Sequence, residues 1–239
     1  MSEQATHETL MEEFAIGCKN NGQIIFEETT LRDGSISPYY VDLGTLQSYP
    51  RMFDVAIRGL ESIYGRQEEE SGLSHDLING IPARGTALGI GLARQVEKGH
   101  LQTREKLKTS HGVAQGEWII GGYREGMNVA EVDEVISTGG AKIEGIEKIT
   151  KKGDGKEPTG LTVTDVYLLL DRETGGVEEV ESHGYRVHSF MTTVSLMGIL
   201  LAYNQITPGT YQRVLQFTVE AKKSRMEKLQ QNQIDRAIY

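Results

Sequence analysis

The run Met127-Asn128-Val129-Ala130-Glu131-Val132-Asp133-Glu134-Val135-Ile136-Ser137-Thr138-Gly139-Gly140, continued by Ala141-Lys142-Ile143-Glu144-Gly145-Ile146-Glu147-Lys148-Ile149, decides how this chain is read. It reads as a short buried strand, two adjacent carboxylates, a turn of small residues, and a helix whose apolar Ile143, Ile146 and Ile149 recur every three positions. Small residues let the backbone N–H groups of Ser137 to Gly140 turn inward. With the positive start of a helix behind them they make a seat for a phosphate, with Asp133 and Glu134 at its rim. Glu131 is the oddity, because a carboxylate in a buried strand is unfavourable unless it is paired.

Working toward the N-terminus, Asp76-Leu77-Ile78-Asn79-Gly80-Ile81-Pro82-Ala83-Arg84-Gly85 is a second strand ending in a glycine- and proline-bearing loop, with an Ala/Leu-rich helix through Ala93. Phe53, Ile57, Leu60 and Ile63 mark an amphipathic helix over Pro50 to Tyr64. Ile24-Ile25-Phe26 and Tyr39-Tyr40-Val41 read as strands around the turn Arg32-Asp33-Gly34-Ser35, and residues 1 to 20 as a helix offering Leu10, Phe14 and Ile16. Toward the C-terminus, a polar linker over 151–160 precedes a strand from Val163 to Leu170, which ends in Asp171-Arg172-Glu173-Thr174-Gly175-Gly176. Tyr185 to Ser189 suggests a last short strand, and Thr210 to Ile238 a charged helix with Val214, Leu215 and Val219 as packing positions. Strands alternating with helices predict a mostly parallel sheet flanked by helices, an α/β fold whose ligands gather at the carboxyl ends of the strands. Residues 99–118 lack periodicity and read either as a solvated loop or as a mobile basic lid, since Arg104, Lys106, Lys108 and His111 together suit a pyrophosphate.

Composition sets bounds on function. The 239 residues fit one large domain, and a net charge of −9 argues against a nucleic-acid binder. Cys18 is the single cysteine, so no internal disulfide is possible, and it has no basic neighbourhood to make it a nucleophile. The start Met1-Ser2-Glu3-Gln4 lacks a leader's basic and apolar run, and Val194 to Tyr203, the most apolar stretch, is far too short to span a bilayer. A cytoplasmic protein without membrane contact is the expectation. His188 reads as structural.

Acid, acid, two branched apolars and then Ser-Thr-Gly-Gly resembles the phosphoribosyl-pyrophosphate (PRPP) loop of type I phosphoribosyltransferases. Four further segments, in matching order, resemble orotate phosphoribosyltransferases: Leu31-Arg32-Asp33-Gly34 with Ser37-Pro38-Tyr39-Tyr40, the Gly80 to Gly85 loop, Arg104 to Gly112, and Asp171 to Gly176 with His183-Gly184 and His188-Ser189. The resemblance spans Gly22 to Tyr211. It implies a type I phosphoribosyltransferase fold with a small N-terminal hood over residues 1–45, a core over 46–209, and a C-terminal helix over 210–239 packing on the core. It implies that Asp133 and Glu134 meet the ribose hydroxyls, while Val135, Ile136, Ser137, Thr138, Gly139, Gly140 and Ala141 hold the 5-phosphate. Arg84, Arg104 and Lys108 would face the pyrophosphate, and Lys108, Arg104 and His111 of the lid with Asp133 and Glu134 would form the catalytic set. Arg32, Tyr40, Ser137 and Arg172 would face orotate; taken alone, Tyr40 reads equally as core and Arg172 as a surface ion pair. Family positions that carry aspartate or lysine hold Glu134, Arg32, Arg84 and Glu105 here, and one extra residue separates Lys108 from His111.

The activity implied is the joining of orotate to PRPP, giving orotidine 5'-monophosphate and pyrophosphate in UMP biosynthesis. Magnesium would be held mainly by substrate and water, and a homodimer would have its lid, residues 103–112, acting in the neighbouring subunit. Two other readings stay open on the sequence: a PRPP- or nucleotide-sensing regulator of the same fold, and a phosphoribosyltransferase for another base.

Overall fold

The computed structural model describes residues 6–30, 34, 36–108, 117–153 and 157–238. Helix α1 (His7–Asn20) opens the chain, with Thr6 at its N-cap accepting the Thr9 N–H. Four two-residue strands follow: β1 (Ile24–Ile25), β2 (Thr29–Thr30), β3 (Ile36–Ser37) and β4 (Tyr40–Val41). β1 pairs antiparallel with β4, and β2 with β3 inside it, so the expected hairpin is a nested pair of ladders. The turn residues Arg32, Asp33 and Ser35 lie outside the described residues.

A 3-10 turn (Leu43–Ser48) leads into α2 (Pro50–Ser71), which starts on proline and ends at Gly72 in the left-handed conformation, φ 66°. Then come β5 (Leu77–Gly80), α3 (Gly85–Gln95), β6 (Gly99–Lys108), β7 (Glu117–Ile120), β8 (Asn128–Ile136), α4 (Gly140–Thr150), β9 (Thr162–Asp171), α5 (Gly176–Ser182), β10 (Arg186–Thr192), α6 (Thr193–Ala202) and α7 (Pro208–Ile238). The main sheet has six strands in the order β10-β9-β8-β5-β6-β7, parallel throughout except for β7.

Each strand feeds both faces of the sheet, as successive side chains must. Val129, Val166, Leu168, Leu77 and Leu101 pack with Ile146 and Ile149 of α4 and Val180 of α5. Ala130, Val132, Tyr167, Leu169 and Ile78 pack on the other side with Leu60, Leu92, Phe14, Leu200 and Val214 of the remaining helices. The helical periodicity at Ile143, Ile146 and Ile149 is therefore the periodicity of one buried face.

Two expectations are corrected. Residues 99–108 form a strand instead of a loop, because β5 offers a parallel partner on one side and β7 an antiparallel one on the other; pairing overrides the weak strand propensity of a Lys/Glu-rich segment. Its first half buries Leu101 and Thr103, while Glu105, Lys106 and Lys108 are exposed. Residues 109–112 of the expected lid, His111 among them, lie outside the described residues. In α7 Val214 is buried, but Val219 is 67% exposed and Thr218 takes the inward position.

Away from the carboxyl ends of the strands, the buried Asp165 accepts bonds from His75 (3.1 Å), His188 (2.7 Å), Arg186 (2.8 and 2.9 Å) and Thr164 (2.6 Å). Burial alone would raise its carboxyl, yet these donors hold it well below the usual carboxylate range. His188 also stacks on Tyr167 at 4.9 Å, which fits a structural role. Cys18 is fully buried, and burial pushes its thiol up, away from nucleophilic use.

Candidate active site

Asp133 and Glu134 close the carboxyl end of β8, and as consecutive strand residues they face opposite sides of the sheet. Asp133 faces α4, where its Oδ2 accepts the Lys142 ammonium at 2.7 Å and its Oδ1 the Glu134 N–H at 2.8 Å. Glu134 faces α3, where its Oε1 accepts Arg84 Nη1 at 2.9 Å. Both acids are over nine-tenths buried, so the structure seats them deeper than a solvated rim. Burial raises the Glu134 carboxyl despite Arg84, while Glu134's bond and charge raise Arg84; the attraction acts to keep both partners charged, and burial outweighs it only at the carboxyl.

Glu131, two residues earlier, is fully buried on the α4 side. Its Oε2 accepts Asn79 Nδ2 at 2.9 Å, and Asn79 Oδ1 accepts the Thr103 hydroxyl at 3.0 Å, a polar relay across three strands. Burial, reinforced by Asp133, pushes its carboxyl up to about 8 against the Asn79 bond, so at neutral pH it is largely the uncharged acid. The cost that a buried carboxylate would carry is avoided by protonation.

Arg84 caps α3 at the end of the β5 loop and reaches Asp42 at 3.2 Å as well as Glu134, with Tyr40 beside it. Gly85 is needed here, because a Cβ would lie 2.4 Å from the Val132 carbonyl oxygen and 3.1 Å from Asp133. The phosphate-seat segment follows the acids. Ile136 is buried and Val135 and Ser137 half-buried, Thr138, Gly140 and Ala141 are exposed, and Gly139 takes φ 82° as the N-cap of α4. The first N–H groups of a helix have no acceptor within it, which leaves this turn able to receive an anion.

The β9 loop joins the same corner. Arg172 N–H donates to the Ile136 carbonyl at 3.0 Å and the Thr174 hydroxyl to the Ser137 carbonyl at 2.8 Å. Arg172 is 7% exposed, so it is no surface ion pair. Its guanidinium carbon lies 4.6 Å above the Tyr39 ring, Nε donates to the Tyr39 hydroxyl at 3.1 Å, and Nη2 to Ser37 at 3.2 Å. Tyr39 OH also meets Thr193 at 3.1 Å. The sequence points to Tyr40 for the aromatic role. The structure divides the pair: Tyr39 is buried and holds Arg172, while Tyr40 is half-buried and turned to Arg84. From α7, Arg225 reaches the Thr138 carbonyl at 3.5 Å, so the last helix touches the phosphate turn.

Gln102, Thr103, Arg104 and Glu105 of β6 face Pro82, Ala83 and Thr86 across an open cleft of about 600 Å3. Arg104 is thus brought beside the Arg84 loop, whereas Lys108 is exposed at the far end of β6. Arg32 and His111 lie outside the described residues. The residues missed by sequence reasoning are Lys142, Asp42, Tyr39, Ser37 and Thr193. Ser37 and Tyr39 lay in a quoted segment, and Lys142 carried a signal of its own: a cation in the first turn of a helix sits at the unfavourable end of the dipole and favours a compensating anion.

Magnesium takes oxygen ligands and keeps several waters. Asp133 and Glu134 supply carboxylate oxygens at the site, but each is already tied to a cation; among the described residues no cluster of three or more His, Cys, Asp or Glu could hold a metal.

No protein-family model matches the chain. It is 29% identical over 202 residues to orotate phosphoribosyltransferase of Cenarchaeum symbiosum, covering 84% of this chain and 94% of that one. It is 27% identical over 194 residues to the bifunctional enzyme PyrF/PyrE of a Nostoc species, covering 81% of this chain and 36% of the relative. Among solved structures, UMP synthase of Leishmania donovani superposes with a TM-score of 0.72 at 24% identity, over 87% of this chain and 42% of that one. The chain therefore spans nearly all of some relatives and little more than a third of others. No helix among the described residues is long and apolar enough to cross a membrane. The acid pair, the phosphate turn, the Arg84 loop and the Arg172 loop meet at one edge of the parallel sheet, and over about four-fifths of its length the chain is similar in sequence to orotate phosphoribosyltransferases.

Proposed function

We infer that the protein transfers a phosphoribosyl group from PRPP to orotate, giving orotidine 5'-monophosphate and pyrophosphate for UMP synthesis. The observation that carries this reading is the meeting of Arg84, Asp133, Glu134, the Ser137–Ala141 turn and Arg172 through direct contacts at the carboxyl ends of β5, β8 and β9. The bond from the ribose carbon to pyrophosphate oxygen breaks, its electron pair leaving with pyrophosphate, and a bond to a ring nitrogen of orotate forms with loss of that nitrogen's proton. Positive charge builds on the sugar meanwhile, as in glycosyl transfer generally.

Each residue has a task suited to its chemistry. The Ser137–Ala141 turn offers N–H groups to the 5-phosphate, and Asp133 and Glu134 fix the ribose hydroxyls. Arg84 and Arg104 offset the charge growing on pyrophosphate. Arg172 is a planar donor fork that its Tyr39 and Ser37 bonds hold in one orientation, and it suits the orotate carboxylate and ring edge. Magnesium, bound with PRPP, would be met by Asp133 and Glu134 and would neutralise phosphate charge.

Lys108 is exposed at the tip of β6, and this supports a homodimer in which the 103–112 segment completes the neighbour's site. A cytoplasmic location accords with the proposed biosynthetic role. The test is to follow loss of orotate absorbance in a mixture of protein, PRPP and magnesium. Turnover with another base but not orotate would redirect the reading, and PRPP binding without catalysis of any base would indicate a sensor.

A further inference from the structure

We propose that Lys142 is a positioning residue for Asp133, holding the ribose-binding carboxylate in one orientation and cancelling its charge beneath a site that must accept a polyanion. The inference rests on the PRPP reading above and adds a residue to it.

Three observations carry it. Lys142 is only 5% exposed, although lysine is seldom buried without a partner. It lies in the first turn of α4, where the helix dipole disfavours a cation, so both location and burial work against it unless something specific compensates. The compensation is complete and directed: its ammonium donates to Asp133 Oδ2 at 2.7 Å and to the Val135 carbonyl, bridging the acid and the start of the phosphate turn. With Oδ1 held by the Glu134 N–H, the Asp133 carboxylate is fixed from both oxygens.

The arrangement also solves a charge problem. Two carboxylates under a ligand bearing several phosphate charges would repel it. Glu134 is offset by Arg84, and Asp133 is offset by Lys142. Because Asp133 and Glu134 face opposite sides of the sheet, one cation cannot serve both, and each has its own. Lys142 is not proposed to touch substrate; it acts through Asp133.

The test compares wild type, Lys142→Met, Lys142→Gln, Lys142→Arg, Asp133→Asn and the double variant Lys142→Met/Asp133→Asn, by steady-state kinetics with orotate and PRPP and by calorimetric PRPP binding. Thermal unfolding checks that each is folded. Lys142→Met should raise the PRPP Kd and KM about tenfold or more while changing the orotate KM less than about twofold, and Lys142→Arg should restore most of the loss. In the Asp133→Asn background the same change should alter PRPP affinity by less than about twofold, since there is no carboxylate left to hold. Equal losses for both substrates, or the full tenfold effect persisting in the Asp133→Asn background, would overturn the proposal in favour of a plain structural or bulk-charge role. Should the Met variant not fold, the Gln and Arg variants decide by the same criteria. Wild-type protein that neither binds PRPP nor turns over would instead sink the functional reading itself.

Discussion

Replacing Glu131 by glutamine should change how stability depends on pH. The carboxyl is fully buried and held up to about 8, against an ordinary value of 4.5. Between those values the unfolded chain has lost the proton while the folded protein keeps it, so the unfolded state binds fewer protons and unfolding becomes easier as pH rises. The contribution is fully present below pH 4.5 and is lost as pH climbs through 8. Integrated from about pH 5 to about pH 8, this one group removes roughly 3 to 4 kcal/mol. That is a large share of the roughly 5–15 kcal/mol typical of a folded domain. Glutamine keeps the shape, accepts the Asn79 bond and cannot ionise.

The assay is urea unfolding of both proteins at intervals from acid to mildly alkaline pH. The wild type should lose stability relative to Glu131→Gln by roughly 3 to 4 kcal/mol over about pH 5 to 8, a midpoint difference growing by about 1–2 M urea. Asp171, raised to about 6 by burial, and Glu134, also raised, slope in the same direction, but both are present in each protein and cancel in the difference. Parallel stability curves would show that Glu131 is charged in the folded protein and that the protonated-relay account is wrong.

Arg172→Lys should raise the orotate KM by about 30- to 100-fold through loss of the planar fork, with the PRPP KM altered less than about threefold; an equal rise for both substrates would count against the assignment. Lys108→Ala should lower kcat on the order of 100-fold with little change in calorimetric PRPP binding, and an unchanged rate would remove Lys108 from the mechanism. Gly85→Ala places a methyl 2.4 Å from the Val132 carbonyl oxygen, a backbone atom that must shift to admit it, and should destabilise by about 2–3 kcal/mol in urea; an unmoved midpoint would refute the close approach. Asp165→Asn removes the negative charge and replaces one of the two accepting oxygens shared by His75, His188 and Arg186 with a donor, and a loss of about 3 kcal/mol is expected by the same measurement, with no loss meaning that the cluster contributes nothing net.

The sequence by itself determined the order of the core elements and the identity of the loops at their ends. Strand, acid pair, small-residue turn and helix are signals carried by neighbours in the chain: the apolar repeat at Ile143, Ile146 and Ile149, the glycines after Thr138, and the glycine- and proline-bearing loop around Arg84. Tertiary structure alone decided the rest, because the deciding partner is in each case distant in the chain or set by alternation. Residues 99–108 became a strand only because β5 and β7 were there to pair with a segment of poor intrinsic propensity. Tyr39 came to hold Arg172, more than a hundred residues away, while Tyr40 turned to the other side, since consecutive side chains leave an extended backbone on opposite sides. The same alternation sent Asp133 to Lys142 and Glu134 to Arg84, and it left Glu131 fully buried, where protonation rather than a counter-charge makes it tolerable.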